Sequence, residues 1–275
     1  MGYLRVAGAR LYYEIHGSGP VLLISQSGEG DAGRTADLVA HLAADHTVVT
    51  YDRRGLSRST LDDPGAGASV ADHADDVRRL LTEVSDRPAG MLGCSIGAVL
   101  GLHVAATHPG LLHTLIAHEP VAPALLPGAL RGRHERELLA VREVYRKEGL
   151  RAAVTEIART LGIDPEGQET EPGITSHPMD ARRTANFGFF IDNDVAAFAR
   201  DTPPLAGLAG SATRVIPAVG RTTPPEVFDH RCARELAALL GVAVDEFPGG
   251  HNGNLTHPRA YATRVRALMA EGRTS

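Results

Sequence analysis

Two residues of this chain, Ser95 and His251, have the surroundings that nucleophilic chemistry needs. Ser95 stands between glycines in Gly93-Cys94-Ser95-Ile96-Gly97. The apolar run before it, Ala89-Gly90-Met91-Leu92, reads as a short buried strand. Ala98 to His108 after it reads as a helix with small and apolar residues on its inner face. A strand turning sharply into a helix at Gly-x-Ser-x-Gly is so tight that the residues two before and two after the serine need to be small. The strain lifts the serine oxygen above the sheet edge. The helix N-terminus also points backbone N–H groups at any negative charge forming beside that oxygen. In a chain with 30 glycines the pentapeptide arises easily by chance, so the strand and helix around it carry the argument.

A serine becomes a useful nucleophile when a base lies within hydrogen-bond reach and a carboxylate orients that base. Of the 13 histidines, only His251 combines a position just past the last strand with a glycine-rich loop, Phe247-Pro248-Gly249-Gly250-His251-Asn252-Gly253. Such a loop can fold back over the sheet edge; the bland alternative is a structural loop histidine. His108 and His257 both precede proline at element ends and read as structural. His118 points opposite to Glu119 if its strand continues there, which places it behind a site rather than in one. Ile96, the residue after the serine, supplies one oxyanion-holding N–H by geometry.

The elements around these residues alternate. Tyr3–Ala7 and Arg10–His16 read as a hairpin, and Val21–Ser25 as a central strand. Leu38–Leu42 (helix), His46–Tyr51 (strand) and Val70–Val84 (helix) follow, then the Met91 strand, the turn at Ser95, its helix and the strand His113–Ala117. This predicts a doubly wound, mostly parallel sheet. The alternation stops near Glu119. Residues 120–212 carry helical patterns (Glu135–Lys147, Leu150–Leu161, Asp194–Arg200) and a Pro/Gly/Thr-rich link at Asp164–Pro178. It resumes with the strand Thr213–Val219, the helix Val227–Leu240, the strand Val242–Phe247 and the helix Pro258–Ala270. The expected organisation is a core of residues 1–119 and 213–275 with a helical cap, 120–212, above the strands' carboxyl ends, where ligands bind in open α/β sheets.

On these residues the chain resembles the α/β-hydrolases from about Leu11 to Leu268. The motifs are the loop Ser25-Gln26-Ser27-Gly28, the segment Asp52-Arg53-Arg54-Gly55-Leu56-Ser57-Arg58-Ser59, the turn at Ser95 and the late His251, with serine before histidine. The resemblance implies an eight-stranded sheet and an architectural part for Asp52 and Arg54. It also implies that the second oxyanion N–H comes from the loop after Val21–Ile24, with Ser27 favoured and Gly28 the alternative. The family usually carries its acid after the seventh strand, here Gly220-Arg221-Thr222-Thr223-Pro224, which holds no carboxylate. A minority places it after the sixth strand, where this chain has Glu119 just before Pro120. Glu119 is therefore the expected triad acid; Asp229 and Glu226, at the start of the following helix, are the alternatives.

The expected activity is that of a serine hydrolase acting on a carboxylester, lactone or thioester of a small molecule through an acyl-serine intermediate. The alternative is a non-hydrolytic enzyme of the same fold (perhydrolase, cofactor-free oxygenase or lyase), or less readily a non-catalytic ligand-binding member. Serine rather than aspartate at the turn argues against alkyl-halide or epoxide chemistry. Asn186, Phe189 and Phe190 are candidate pocket residues, because three of the six phenylalanines gather within four positions of the cap. Their bland reading is glue between cap and core. Leu125-Leu126-Pro127 is a candidate for the mouth. No metal or organic cofactor is implied, since no cluster has ligand spacing and no dinucleotide fingerprint occurs.

Composition limits the other classes. A net charge of −5 gives no footprint for nucleic acid or an anionic membrane. Two cysteines, Cys94 and Cys232, make no disulfide framework. The N-terminus lacks an apolar signal region, and no run approaches the ~18 apolar residues of a span. A reducing cytoplasm is the expected compartment.

Overall fold

In the computed structural model, which describes residues 1–164 and 167–271, nine strands form one sheet. They are β1 (Gly2–Val6), β2 (Ala9–His16), β3 (Val21–Ser25), β4 (Thr47–Tyr51), β5 (Thr60–Leu61), β6 (Ala89–Cys94), β7 (Leu112–His118), β8 (Arg214–Gly220) and β9 (Asp245–Phe247). The spatial order is β1-β2-β4-β3-β6-β7-β8-β9, with β5 paired to β2. All pairings from β4 through β9 are parallel, and the β1–β2 hairpin adds an antiparallel edge. Two-residue β5 is one strand more than the sequence predicts; it is too short to show any periodicity. At the far edge the predicted strand Val242–Phe247 shortens to Asp245–Phe247, because left-handed Gly241 ends the preceding helix and leaves Val242 exposed.

Alternate residues of the central strands feed two separate cores. Leu23, Met91 and Leu115 pack in one apolar cluster with α2 (Val70–Val84) and α3 (Ile96–Thr107). Leu22, Ile24, Leu92 and Ile116 face the other way, into a cluster with α1 (Ala36–Leu42) and α10 (Pro258–Glu271). Both faces of β6 are thus covered, so its carboxyl end is held rigidly where Ser95 begins α3.

Between β7 and β8 the described residues form helical elements and no strand. These are α4 (Gly128–Glu148), α5 (Leu150–Thr160), α6 (Ala181–Phe189), a π-helical turn at Phe190–Asp194 and α7 (Val195–Arg200). Helix α6 is absent from the sequence reading, since Asn186 and Gly188 interrupt its apolar pattern. After β8 come α8 (Phe228–Leu240) and the short α9 (Gly253–Thr256). Among the described residues no helix is long and apolar enough to cross a membrane.

Candidate active site

The turn after β6 is strained at one residue. Ser95 has φ 59° and ψ −118°, a conformation costing of order 1–3 kcal/mol in a non-glycine residue. Two contacts hold it there. The Ser95 N–H donates to the His118 carbonyl at 2.9 Å, and the Ser95 carbonyl accepts from Ala98 at 3.1 Å. The small flanking residues are required by packing: a Cβ on Gly97 would collide with the carbonyl oxygen of Ser25, and one on Gly93 with the backbone of Gly97 and Ala98. Ile96 is the first residue of α3, so its N–H belongs to the orphan donors of a helix start.

Ser95 opens into a cavity of about 520 Å³ that Gln26, Ser27, Gly28, Ile96 and His251 also line. His251 follows the glycines after β9 and is buried. Its Nδ1 lies 2.8 Å from Glu119 Oε2 in a hydrogen bond. Asp229 Oδ2 is nearer still, 2.6 Å from the same nitrogen. Yet neither Asp229 oxygen takes a hydrogen bond among the described residues, so the N–H direction favours Glu119. We place the ring proton on Nδ1, facing the carboxylates. Nε2 is buried and, among the described residues, has no hydrogen-bond partner, Ser95 Oγ included. Bonds between base and nucleophile are commonly long in enzymes without substrate.

Glu119 reaches His251 because the chain leaves the sheet at that residue. Its φ is +44°, just past the end of β7 and before Pro120. Its N–H donates to Ala218 O at 2.9 Å, and its Oε1 accepts the Gly220 N–H at 2.8 Å. Burial would raise its pKa, but the hydrogen bond from His251 and the nearby imidazoles outweigh that and hold it well below the carboxylate range. Asp229 behaves oppositely. It sits in the first turn of α8, wholly buried, and burial pushes it up to about 7 against the pull of His251. His251 itself is held above the ordinary histidine value: burial lowers it, and the Asp229 and Glu119 carboxylates more than reverse this.

Glu119, Asp229 and His251 also form a cluster of metal-ligand atoms within 4.8 Å of one another. The Nδ1–oxygen separations of 2.6 and 2.8 Å are hydrogen-bond lengths. Two ligands on one zinc with bonds of about 2.0–2.1 Å stand roughly 3.3 Å apart, so this geometry fits a shared proton better than a cation.

The sheet and fold relationships extend to known proteins. The α/β hydrolase fold family matches residues 20–154. The chain is 32% identical over 272 residues to the uncharacterized hydrolase YraK of Bacillus subtilis, covering 98% of this chain and 95% of that one. The chain belongs to the α/β-hydrolase family. Among solved α/β-hydrolase structures, one from the study of carboxylesterases of Nitrososphaera gargenis aligns with a TM-score of 0.70 at 20% identity, over 99% of each chain. The enol-lactonase of Burkholderia xenovorans aligns at 0.69 and 20% identity, over 98% of this chain and 100% of that one. At that identity the likeness concerns the fold alone.

In this α/β-hydrolase the sequence-predicted residues divide. Ser95, Ile96, Ser27, His251 and Phe190 line one cavity, and Glu119 touches His251 from behind. Gly28, the alternative to Ser27, lines it too. Phe189 is not among the lining residues; it packs over Gly55. Asn186 is likewise turned elsewhere: its Oδ1 accepts the Ser57 N–H at 2.9 Å and its Nδ2 donates to Ser57 Oγ at 2.8 Å, holding that residue at φ 50°. Leu125, Leu126 and Pro127 are also not lining residues, whereas Val121 and Leu138 are. Glu226 is exposed, while Asp229 is buried against His251. His118 is buried, its ring nitrogens have no hydrogen-bond partner among the described residues, it lies edge-on to Phe247 and Tyr261, and burial lowers it to about 4.

Arg53 carries no role in the sequence reading and is central in the structure. Its guanidinium donates to Ser27 O at 3.0 Å and Gly28 O at 2.7 Å, and pairs with Asp194 of the π turn at 2.9 Å. Asp194 is buried and also meets His73 at 3.3 Å. One side chain therefore ties the loop beside Ser95 to the helical insertion. A lone arginine in a motif with a structural reputation gives no signal of this.

Proposed function

We propose that this α/β-hydrolase is a serine hydrolase that cleaves an ester-like bond, a carboxylester, lactone or thioester, through an acyl-Ser95 intermediate. The observation carrying this reading is the strained Ser95 sharing a cavity with a buried histidine whose far nitrogen is held by a carboxylate. Ser95 Oγ attacks the carbonyl carbon while His251 Nε2 takes its proton. The resulting oxyanion is held by the Ile96 and Ser27 N–H groups. His251 returns the proton to the leaving oxygen or sulfur as the tetrahedral adduct collapses. Water then attacks acyl-Ser95, His251 again relays the proton, and the acid is released. Glu119 orients the imidazole and offsets its transient charge. Asp229, raised towards neutrality, acts as a carboxylic acid beside that pair.

The insertion 120–212 is the lid of the site in this reading. Leu138, Val154, Ile157, Phe187 and Phe190 all come from it and line the cavity, whose size suits a small molecule. The test is intact-mass analysis after a fluorophosphonate. The wild type takes one adduct and Ser95→Ala none; labelling that persists in Ser95→Ala moves the nucleophile elsewhere.

A further inference from the structure

The same cavity holds a charged corner that the reaction at Ser95 does not use. Arg34, on the 3-10 turn Ala32–Thr35, and Arg183, in the first turn of α6, both line it. One belongs to the core and the other to the insertion. They share a single counter-ion, Glu29. Arg34 Nε lies 2.9 Å from Glu29 Oε2, and Arg183 Nε lies 2.6 Å from Oε1. Arg183 Nη2 reaches Oε2 at 3.2 Å, and its Nη1 donates to the His177 carbonyl. Arg34 Nη1 is buried and, among the described residues, has no partner.

Two arginines on one glutamate leave one positive charge in surplus. Asp31 nearby does not cancel it, since that carboxylate is shared with two other cations, Arg58 at 3.8 Å and Arg182 at 4.0 Å, and is not a lining residue. His177 also lines the corner, and burial with the two arginines lowers its pKa, so it adds no charge near neutrality. Arg34 itself is held below the usual arginine value, by burial first and with Arg183 adding to it. A buried guanidinium N–H without an acceptor is a costly arrangement that a ligand oxygen would relieve. Guanidinium forks match carboxylates in shape, and a single surplus charge matches a monoanion rather than a phosphate dianion.

We infer that the substrate carries a free carboxylate in addition to the bond that is cleaved, and that Arg34 and Arg183 bind it. This rests on the serine-hydrolase reading and names its substrate class: a half-ester or related acyl compound with an apolar body, to suit walls such as Val154, Ile157 and Phe187.

The matched probes are monomethyl adipate and methyl hexanoate, which differ at one end only. Binding is measured by calorimetry on Ser95→Ala, so no turnover is needed. The adipate half-ester should bind at least about tenfold tighter, as expected for a charge-assisted contact. Arg34→Gln in the same background should erase most of the difference. If that variant does not fold, Arg34→Lys keeps the charge without the fork and should narrow the preference. Equal affinity of the two esters for folded Ser95→Ala overturns the inference. The p-nitrophenyl analogues of both esters, assayed with wild type, separate the two failures. Turnover of both without preference sinks only the carboxylate site, whereas tight half-ester binding with no turnover and no fluorophosphonate adduct sinks only the serine mechanism.

Discussion

Glu119 and Asp229 converge on one nitrogen of His251, at 2.8 and 2.6 Å, one from the end of β7 and the other from the first turn of α8. Two buried carboxylates so close to one another cannot both stay charged cheaply, and their environments separate them. Glu119 has the Gly220 N–H and the imidazole to stabilise its anion. Asp229 accepts no hydrogen bond among the described residues and keeps its proton further towards neutral pH.

That separation predicts unequal mutants. Glu119→Gln removes the charge that orients the imidazole, a change that costs about 10⁴ in kcat when made in a serine protease. A loss of at least ~10² in kcat is expected here. Asp229→Asn mimics the protonated carboxyl, the form that burial favours, and should cost less than ~10-fold. Steady-state kinetics of the two variants decide it; a collapse in Asp229→Asn with Glu119→Gln near wild type reverses their roles.

The pH dependence follows from the same pair. Only neutral His251 can accept the serine proton, and its pKa is raised, so kcat/KM should fall as pH drops through a value above the ordinary ~6.5. The pair titrates as a unit, and the limb belongs to both groups. Where Asp229 ionises, above about 7, its charge raises the imidazole pKa, so Asp229→Asn should move the limb to lower pH. A limb unmoved in Asp229→Asn would show that Asp229 does not influence the base.

The two neighbouring phenylalanines should behave differently. Phe190 lines the cavity beside Gly28, so Phe190→Ala should change the ranking of esters by acyl size. Phe189 is half-buried on Gly55 outside the cavity, so Phe189→Ala should lower the melting temperature, at less than the roughly 3–5 kcal/mol of a fully buried phenylalanine, and leave the ranking alone. Substrate profiles beside thermal melts check both; an altered ranking in Phe189→Ala contradicts the assignment.

Breaking the Arg53–Asp194 pair should be felt at both ends. Asp194→Ala leaves a buried guanidinium uncompensated, a change of about 3–5 kcal/mol. It also loosens the grip on the Ser27 and Gly28 carbonyls, so kcat should fall even where the protein is still folded. Denaturant melts and kinetics at low temperature measure the two effects; full activity in folded Asp194→Ala would confine Arg53 to stability.

Much of this was legible locally and little of it distally. The turn at Ser95 and the loop of His251 announce themselves because glycine spacing is a backbone requirement written in consecutive residues. Glu119 was visible as a carboxylate at a strand end followed by proline. Asp229 reads in sequence as a helix-starting acid; only the placement of α8 against β8 reveals that it is buried. Which of Phe189 and Phe190 enters the cavity is set by the π turn, whose wider winding begins at Phe190 and has no clear signature. The arginine corner needs residues from segments about 150 positions apart, as the Glu29–Arg183 bond spans 154.

The double attachment of Arg53 limits how the insertion can be exchanged. Swapping residues 120–212 for the equivalent segment of another relative is an obvious route to new substrate ranges. A donor segment without an acid at the place of Asp194 would strand the Arg53 cation and unmoor the backbone at Ser27. Chimeras of this protein should therefore be designed with that carboxylate as a fixed anchor, and libraries restricted to the wall positions around it.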